Sequence, residues 1–99
     1  MTIYALSTGS GISGIAVIRV SGPKTTEVIK EITRAKLPSP RVATLRKFNK
    51  NGSKNLIDEG VVIWFPAPNS YTGEDLAEFH VHGSRAVVTA MHTAISKIK

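Results

Sequence analysis

Val42-Ala-Thr-Leu-Arg-Lys-Phe-Asn-Lys-Asn51-Gly52-Ser-Lys-Asn-Leu-Ile-Asp-Glu-Gly60-Val-Val-Ile-Trp-Phe65 sets two β-rich runs on either side of an Asn-Gly pair. Asn and Gly both tolerate positive φ, which the tight turns that suit the twist of a two-stranded hairpin require. The stretch predicts a strand over Val42–Phe48, a turn at Asn51-Gly52 and a return strand over Gly60–Phe65. A hairpin is an antiparallel unit. It argues against a doubly wound sheet in which every strand is parallel.

Outward from the hairpin, strands and helices interleave. Ile3–Ser7 reads as a short strand and Ser7–Gly14 as a glycine-rich loop. Ile15–Val20 is almost continuously apolar and β-branched, the pattern of a strand buried on both faces. Gly22-Pro23 ends it and supplies a proline where a helix begins. Thr25–Ala35 reads as a helix with Val28, Ile29 and Ile32 on one side, broken by Leu37-Pro-Ser-Pro40. After the hairpin, Pro66 to Gly73 is a proline-bearing loop and Leu76–His82 a further strand. Ser84–Ile98 has Val87, Met91, Ala94, Ile95 and Ile98 at helical spacing, with Ser84 or Gly83 as its cap. The expected architecture is α+β, a mixed β-sheet with two helices.

Ninety-nine residues make one domain, which buries only about 60–65% of its unfolded surface. The 41% hydrophobic share is too high for a disordered tail. Without cysteine there is no disulfide, thiolate metal site or Cys nucleophile. No apolar run approaches the roughly 18 residues of a membrane span, and Met1 to Val20 lacks a basic region ahead of an apolar one. The expectation is a cytoplasmic protein without membrane contact. The last helix runs to Lys99 with no Gly or Asn stop, so the chain reads as a part of something longer.

Charge is segregated. Residues 24–54 carry nine Lys or Arg against Glu27 and Glu31, a net +7. Residues 55–83 carry five acids and no Lys or Arg. A basic segment attracts polyanions, nucleic acid first, and also serves as an ordinary solvated face.

Four features bear on chemistry. Gly9-Ser-Gly11-Ile-Ser-Gly14 matches the dinucleotide-binding glycine pattern but leads into a strand, where that use needs a helix N-terminus. It reads better as a loop that lets another backbone or a ligand approach. Arg19 is the one charge in an apolar strand and must reach a sheet edge, a carboxylate partner among residues 58–78, or a ligand. Glu78, His80 and His82 alternate along a strand and share one face. Side chains two apart sit about 7 Å from each other, so this row does not close a metal site, and no metal is expected. His82-Gly83-Ser84 opens the last helix, where free backbone N–H groups favour anions only weakly.

Ile15-Ala-Val-Ile-Arg-Val-Ser-Gly-Pro23, Leu37-Pro-Ser-Pro-Arg41, Asp58-Glu-Gly60, Trp64-Phe-Pro-Ala-Pro-Asn-Ser-Tyr-Thr-Gly-Glu-Asp75, Glu78 and His82-Gly83 together resemble the N-terminal domain of the MnmE (TrmE) family of tRNA modification GTPases. The resemblance runs the length of the chain, in order. It implies a domain over residues 1–99 that binds 5-formyl-tetrahydrofolate as a one-carbon donor and forms a homodimer. The fold it implies is similar to the folate-binding domain of glycine-cleavage aminomethyltransferase-type proteins. Arg19 matches the family's folate-contacting arginine and Glu78 its folate-contacting glutamate, while the matching lysine lies beyond residue 99. A carboxylate suits a pterin, whose amino group and ring N–H lie side by side.

In this family a helical domain, a GTPase domain using GTP, magnesium and potassium, and a C-terminal Cys motif follow. With the flavoprotein MnmG (GidA), the family modifies C5 of the wobble uridine in tRNA. Two stretches depart from its pattern: Gly9–Gly14 stands where Pro-Gly-Arg-Gly-Gly is common, and His82-Gly83-Ser84 where His-Gly-Gly is usual. These 99 residues hold no glycine-rich loop ending in Lys-Ser or Lys-Thr, so they are expected neither to hydrolyse GTP nor to act as a catalyst alone. Other readings of the chain are a stand-alone basic RNA-binding module and a dimerisation scaffold that no longer binds folate.

Overall fold

The computed structural model describes residues 3–6, 14–50 and 55–98. Five strands and two helices follow in the order β1 (Ile3–Leu6), β2 (Ile15–Ser21), α1 (Thr25–Thr33), β3 (Thr44–Asn49), β4 (Leu56–Phe65), β5 (Leu76–His82) and α2 (Arg85–Ser96). The strands form one sheet, ordered β1-β2-β5-β4-β3. The α+β class holds, but every neighbouring pair is antiparallel, so the sheet is not mixed.

The link between α1 and β3 explains that correction. α1 ends beside the C-terminal end of β3, where Asn49 Nδ2 donates to the Ile32 carbonyl at 3.3 Å. Arg34, at φ 52°, stops the helix, and residues 34–43 then run back along the domain, without helix or strand through Pro38 and with a turn at Pro40-Arg41. Ten residues are enough to span a six-residue strand even with a turn among them. β3 therefore starts at the opposite end from the helix terminus, and its direction is reversed relative to a direct helix-to-parallel-strand crossover.

Both helices cover the same face of the sheet. Ala16, Ile18 and Val20 of β2, Val62 of β4, and Ala77, Phe79 and Val81 of β5 alternate toward them and are buried. They meet Val28, Ile29 and Ile32 of α1 and Met91, Ala94 and Ile95 of α2 in one cluster. Phe48 and Phe79 pack edge to face at its centre, with ring centroids 5.3 Å apart. Each such side chain contributes about 1.5–3 kcal/mol by leaving water. Ser84 caps α2, its Oγ accepting from the Val87 N–H at 3.2 Å.

Among the described residues, no helix covers the other face. Ile15 is 60% exposed, Arg19 is exposed and Val17 half-buried, so β2 is buried on one face only. The hairpin is present, but β4 begins at Leu56, four residues earlier than expected, and a register shift at Phe48/Asn49 accommodates the extra length. The Asn51-Gly52 turn lies outside the described residues. No helix among the described residues is long and apolar enough to cross a membrane.

Gly60 shows how closely β4 and β5 approach. A Cβ there would sit 2.1 Å from the His80 carbonyl oxygen and 3.0 Å from the Phe48 ring. The obstruction is backbone, which cannot rotate away. Gly60→Ala should therefore cost about 3 kcal/mol through forced separation of the strands, read as a lower midpoint in urea denaturation. An unchanged midpoint would show that the β4–β5 contact is looser than described.

Candidate functional site on the open face of the sheet

Register builds the site. In an antiparallel sheet, directly opposed residues point to the same face. β2 and β5 pair with Arg19 opposite Glu78, Val17 opposite His80 and Ile15 opposite His82. β4 adds Ile63 opposite Glu78 and Val61 opposite His80. The uncovered face thus has a polar column along β5, Glu78-His80-His82, between aliphatic side chains on both neighbours. Sequence alternation alone foretells that Glu78, His80 and His82 share a face. The opposition of Arg19 to Glu78 depends on strand pairing and could not be read from spacing.

Arg19 Nε donates to Glu78 Oε2 at 2.9 Å, and His80 Nε2 donates to Glu78 Oε1 at 3.1 Å. Glu78 is largely buried, with 15% of its side chain exposed, while Arg19 keeps 45%. Burial works to raise the Glu78 carboxyl pKa, but the His80 and Arg19 hydrogen bonds and charges outweigh it and hold the pKa below its ordinary value. The two readings of Arg19, ion pair or ligand contact, fall on one group. Its carboxylate partner is the other candidate site residue. Each Glu78 oxygen accepts one hydrogen bond here and retains a second acceptor position.

The loop between β4 and β5 adds an aromatic. Asp75 Oδ1 accepts from the Ala67 N–H at 2.9 Å, closing the loop on itself. The Asp75 carbonyl accepts from the Gly22 N–H at 3.0 Å and from Thr25 Oγ1 at 3.1 Å, tying it to the end of β2 and the start of α1. Ser21 Oγ and Thr72 Oγ1 lie 2.8 Å apart. Arg41, at φ 63°, donates from its backbone N–H to the Trp64 carbonyl at 2.8 Å and from its guanidinium to the Asn69 carbonyl at 2.5 Å. Gly73, at φ 79°, provides a bend that side-chain-bearing residues adopt at a cost. So anchored, the loop sets the Tyr71 ring 5.8 Å from the Arg19 guanidinium carbon, in cation–π range, with the tyrosine 88% exposed.

Asp58 orders the far end of the column. β4 and β5 stop pairing at Val61 and His80, and Asp58 takes over. Its Oδ2 accepts from the His82 backbone N–H at 2.9 Å, and its Oδ1 accepts from His82 Nδ1–H at 2.8 Å. Burial pushes the Asp58 carboxyl pKa up, but these His82 bonds and the Glu59 backbone N–H bring it below its ordinary value. The Gly83 N–H reaches the Gly14 carbonyl at 3.3 Å, so the end of the glycine-rich loop abuts this corner. The rest of Gly9–Gly14 lies outside the described residues. Tyr71 and Asp58 were visible in the sequence only as members of longer motifs, without roles. An aromatic in a Pro/Gly loop, and the Asp58-Glu59 pair ahead of an apolar run, were the signals.

Arg41, Asp58 and Tyr71, apart in sequence, thus join the loop and strand ends around Arg19 and the β5 column. The family described as the N-terminus of the GTP-binding protein TrmE matches residues 2–99. The chain belongs to the TrmE N-terminal family. It is similar to a tRNA modification GTPase MnmE from Pelagibacter ubique, 68% identical over the whole chain and 22% of that protein. It is also similar to a mitochondrial 5-taurinomethyluridine tRNA synthase subunit from Danio rerio, 50% identical over 98% of the chain and 19% of the relative. A further MnmE, from Parvibaculum lavamentivorans, is 46% identical over 98% of the chain and 22% of its own length. This TrmE-family chain spans about a fifth of the length of these relatives.

The two depressed carboxyls make the TrmE-family fold acid-sensitive. A carboxyl whose folded pKa lies below its unfolded value, near 4, adds stability that is complete above that value. The contribution is lost as pH falls through the lower folded value. The melting temperature should therefore drop as pH falls from about 5 to 3, and Asp58→Asn and Glu78→Gln should each shallow that drop, because amides do not titrate. Equal acid limbs for the wild type and both variants would contradict the assigned hydrogen bonds.

Proposed function

We propose that this chain is the folate-binding, dimerising N-terminal domain of an MnmE-like tRNA modification GTPase, and that a reduced folate such as 5-formyl-tetrahydrofolate docks its pterin on the open face at Glu78. The observation that carries the reading is the half-satisfied, ionised Glu78 carboxylate between Arg19 and His80. A pterin edge offers two adjacent N–H donors, and Glu78 offers two oxygens with acceptor capacity left. Tyr71 supports the same reading, because an exposed ring beside a guanidinium is a stacking surface for a flat heterocycle. In this reading Arg19 orients Glu78 and faces the polar groups of the ligand.

The relatives' names support a role in tRNA modification. Following the family resemblance, the domain would supply a one-carbon unit to wobble-uridine modification by the whole protein acting with MnmG on tRNA. GTP, magnesium and potassium would belong to other parts of such a protein. An RNA-binding role for the basic segment has less support. Lys30 on α1 and Arg34 at its C-cap are interleaved with Glu27 and Glu31, and Lys47 pairs opposite Glu59 across the β3–β4 ladder. Of the segment's basic groups, these three thus have acidic neighbours close by.

Two measurements test the proposal. Calorimetric titration with 5-formyl-tetrahydrofolate should give saturable binding that Glu78→Gln weakens about tenfold or more, since the amide accepts at one end only. Equal affinities would remove Glu78 from the site. Sedimentation equilibrium should report a dimer, which a domain with half-exposed Val17, Val61 and Ile63 gains from forming. A monomer at every concentration would contradict the dimerising role.

A further inference from the structure

A groove of about 300 Å³ lies on α2 at the end of β3, away from the Arg19–Glu78–His80 cluster. Lys50, Ala90, Thr93, Ala94 and Lys97 line it. Positions 90, 93, 94 and 97 follow the spacing of a single helix face, so α2 and its C-cap form one side and Lys50 the other. Ala94 is buried and Ala90 half-buried, whereas Thr93, Lys50 and Lys97 are exposed. The groove therefore has a small apolar floor and a basic rim.

The fold joins two acid-free segments here. Residues 42–57 hold Arg46, Lys47, Lys50 and Lys54, residues 79–99 hold Arg85, Lys97 and Lys99, and neither segment contains Asp or Glu. The acids fall elsewhere: Glu27 and Glu31 on α1, Asp58 and Glu59 early in β4, Glu74 and Asp75 ahead of β5, and Glu78 on β5. Lys30, Arg34 and Lys47 have acids beside them, but no acid is among the described residues that line the groove of Lys50 and Lys97. The last carbonyls of α2 form the negative end of its dipole, which favours Lys97 as a cation and repels an anion sunk between the helix and β3. A single small anion is thus poorly served. A chain of anions is served better, because it stays outside and meets the ammonium tips. Lysine suits that role, since its compact charge on a flexible stem donates to phosphate oxygens from many directions.

We infer that this groove docks an RNA strand, with Lys50 and Lys97 on neighbouring backbone phosphates, the sugar between them over Ala90 and Ala94, and Thr93 Oγ1 within reach of a 2′-hydroxyl. The inference rests on the proposed role in tRNA modification and adds a contact surface to it, separate from the folate site. Contacts of this kind position the RNA and read no sequence.

The test follows a fluorescently labelled tRNA transcript binding to the full chain by anisotropy across a salt series. The double variant Lys50→Glu/Lys97→Glu should weaken binding about tenfold or more at about 0.1 M salt, and should lower the slope of log affinity against log salt by about 1 to 2, the share of two phosphate contacts. Lys30→Glu/Lys47→Glu changes the net charge equally at positions that already have acidic neighbours, and should cost less than about threefold. Lys50→Arg/Lys97→Arg should bind as the wild type does. Ala90→Glu leaves both lysines in place, sets an acid in the groove and should weaken binding. Equal losses in the two charge-reversed pairs would reduce the attraction to overall charge and overturn the inference, as would no loss in Lys50→Glu/Lys97→Glu. Poly-glutamate of equal charge that displaces the transcript as well as unlabelled tRNA does would make the surface one for acidic polypeptides and overturn it too. Calorimetry with 5-formyl-tetrahydrofolate separates the two readings, because Lys50→Glu/Lys97→Glu should keep wild-type folate affinity. Folate binding without saturable tRNA binding overturns the RNA surface alone, and tRNA binding without folate binding overturns the folate reading alone.

Discussion

The antiparallel register of β2 against β5 is the constraint on which the rest depends. It sets Arg19 opposite Glu78, and through the same pairing Val17 opposite His80 and Ile15 opposite His82. A slip of one residue would turn Arg19 toward Ile29 and Phe79 and turn Ile18 and Val20 out to water. The buried parity of both strands opposes that slip with several fully buried side chains, each contributing about 1.5–3 kcal/mol. The half-exposed Arg19–Glu78 pair contributes about 1 kcal/mol or less to stability. The core therefore fixes the register, and the register places the polar groups.

Around that axis, each turn holds one end of the polar column. At the Glu78 end, Asp75 joins the β4–β5 loop to Gly22 and Thr25, and Arg41 draws the 34–43 link onto the same loop. Tyr71 is the product of those anchors. At the His82 end, Asp58 replaces the missing ladder partner, and Gly60 lets the His80 carbonyl come close. Two depressed carboxyls, Glu78 and Asp58, thus bracket the column, each held by a histidine and each keeping its charge in a partly dry setting.

Strand identities, both helices and the shared face of Glu78, His80 and His82 were legible because they rest on local periodicity, while the choice of Ser84 over Gly83 as cap came from the structure. Three things were not. The sheet proved antiparallel because residues 34–43 run the length of the domain, and direction after a proline-bearing link has no local signature. β2 looked buried on both sides because Ile15 and Val17 are as apolar as Ile18, and composition does not say which face a helix will cover. The Arg19–Glu78 and Asp58–His82 contacts join residues 59 and 24 positions apart, the first through β2–β5 pairing and the second where the β4–β5 ladder ends. Arg19 and Glu78 were picked out by resemblance and by chemical type; their contact is a product of the fold.

The most direct test of this account is a crystal structure of the chain with 5-formyl-tetrahydrofolate bound. The account predicts the pterin on the open face, its amino group and ring N–H within hydrogen-bond distance of the Glu78 carboxylate and its plane beside Tyr71. A folate seated on the helical side, for example against Lys50 and Lys97, or one lying on the open face without touching Glu78, would contradict it.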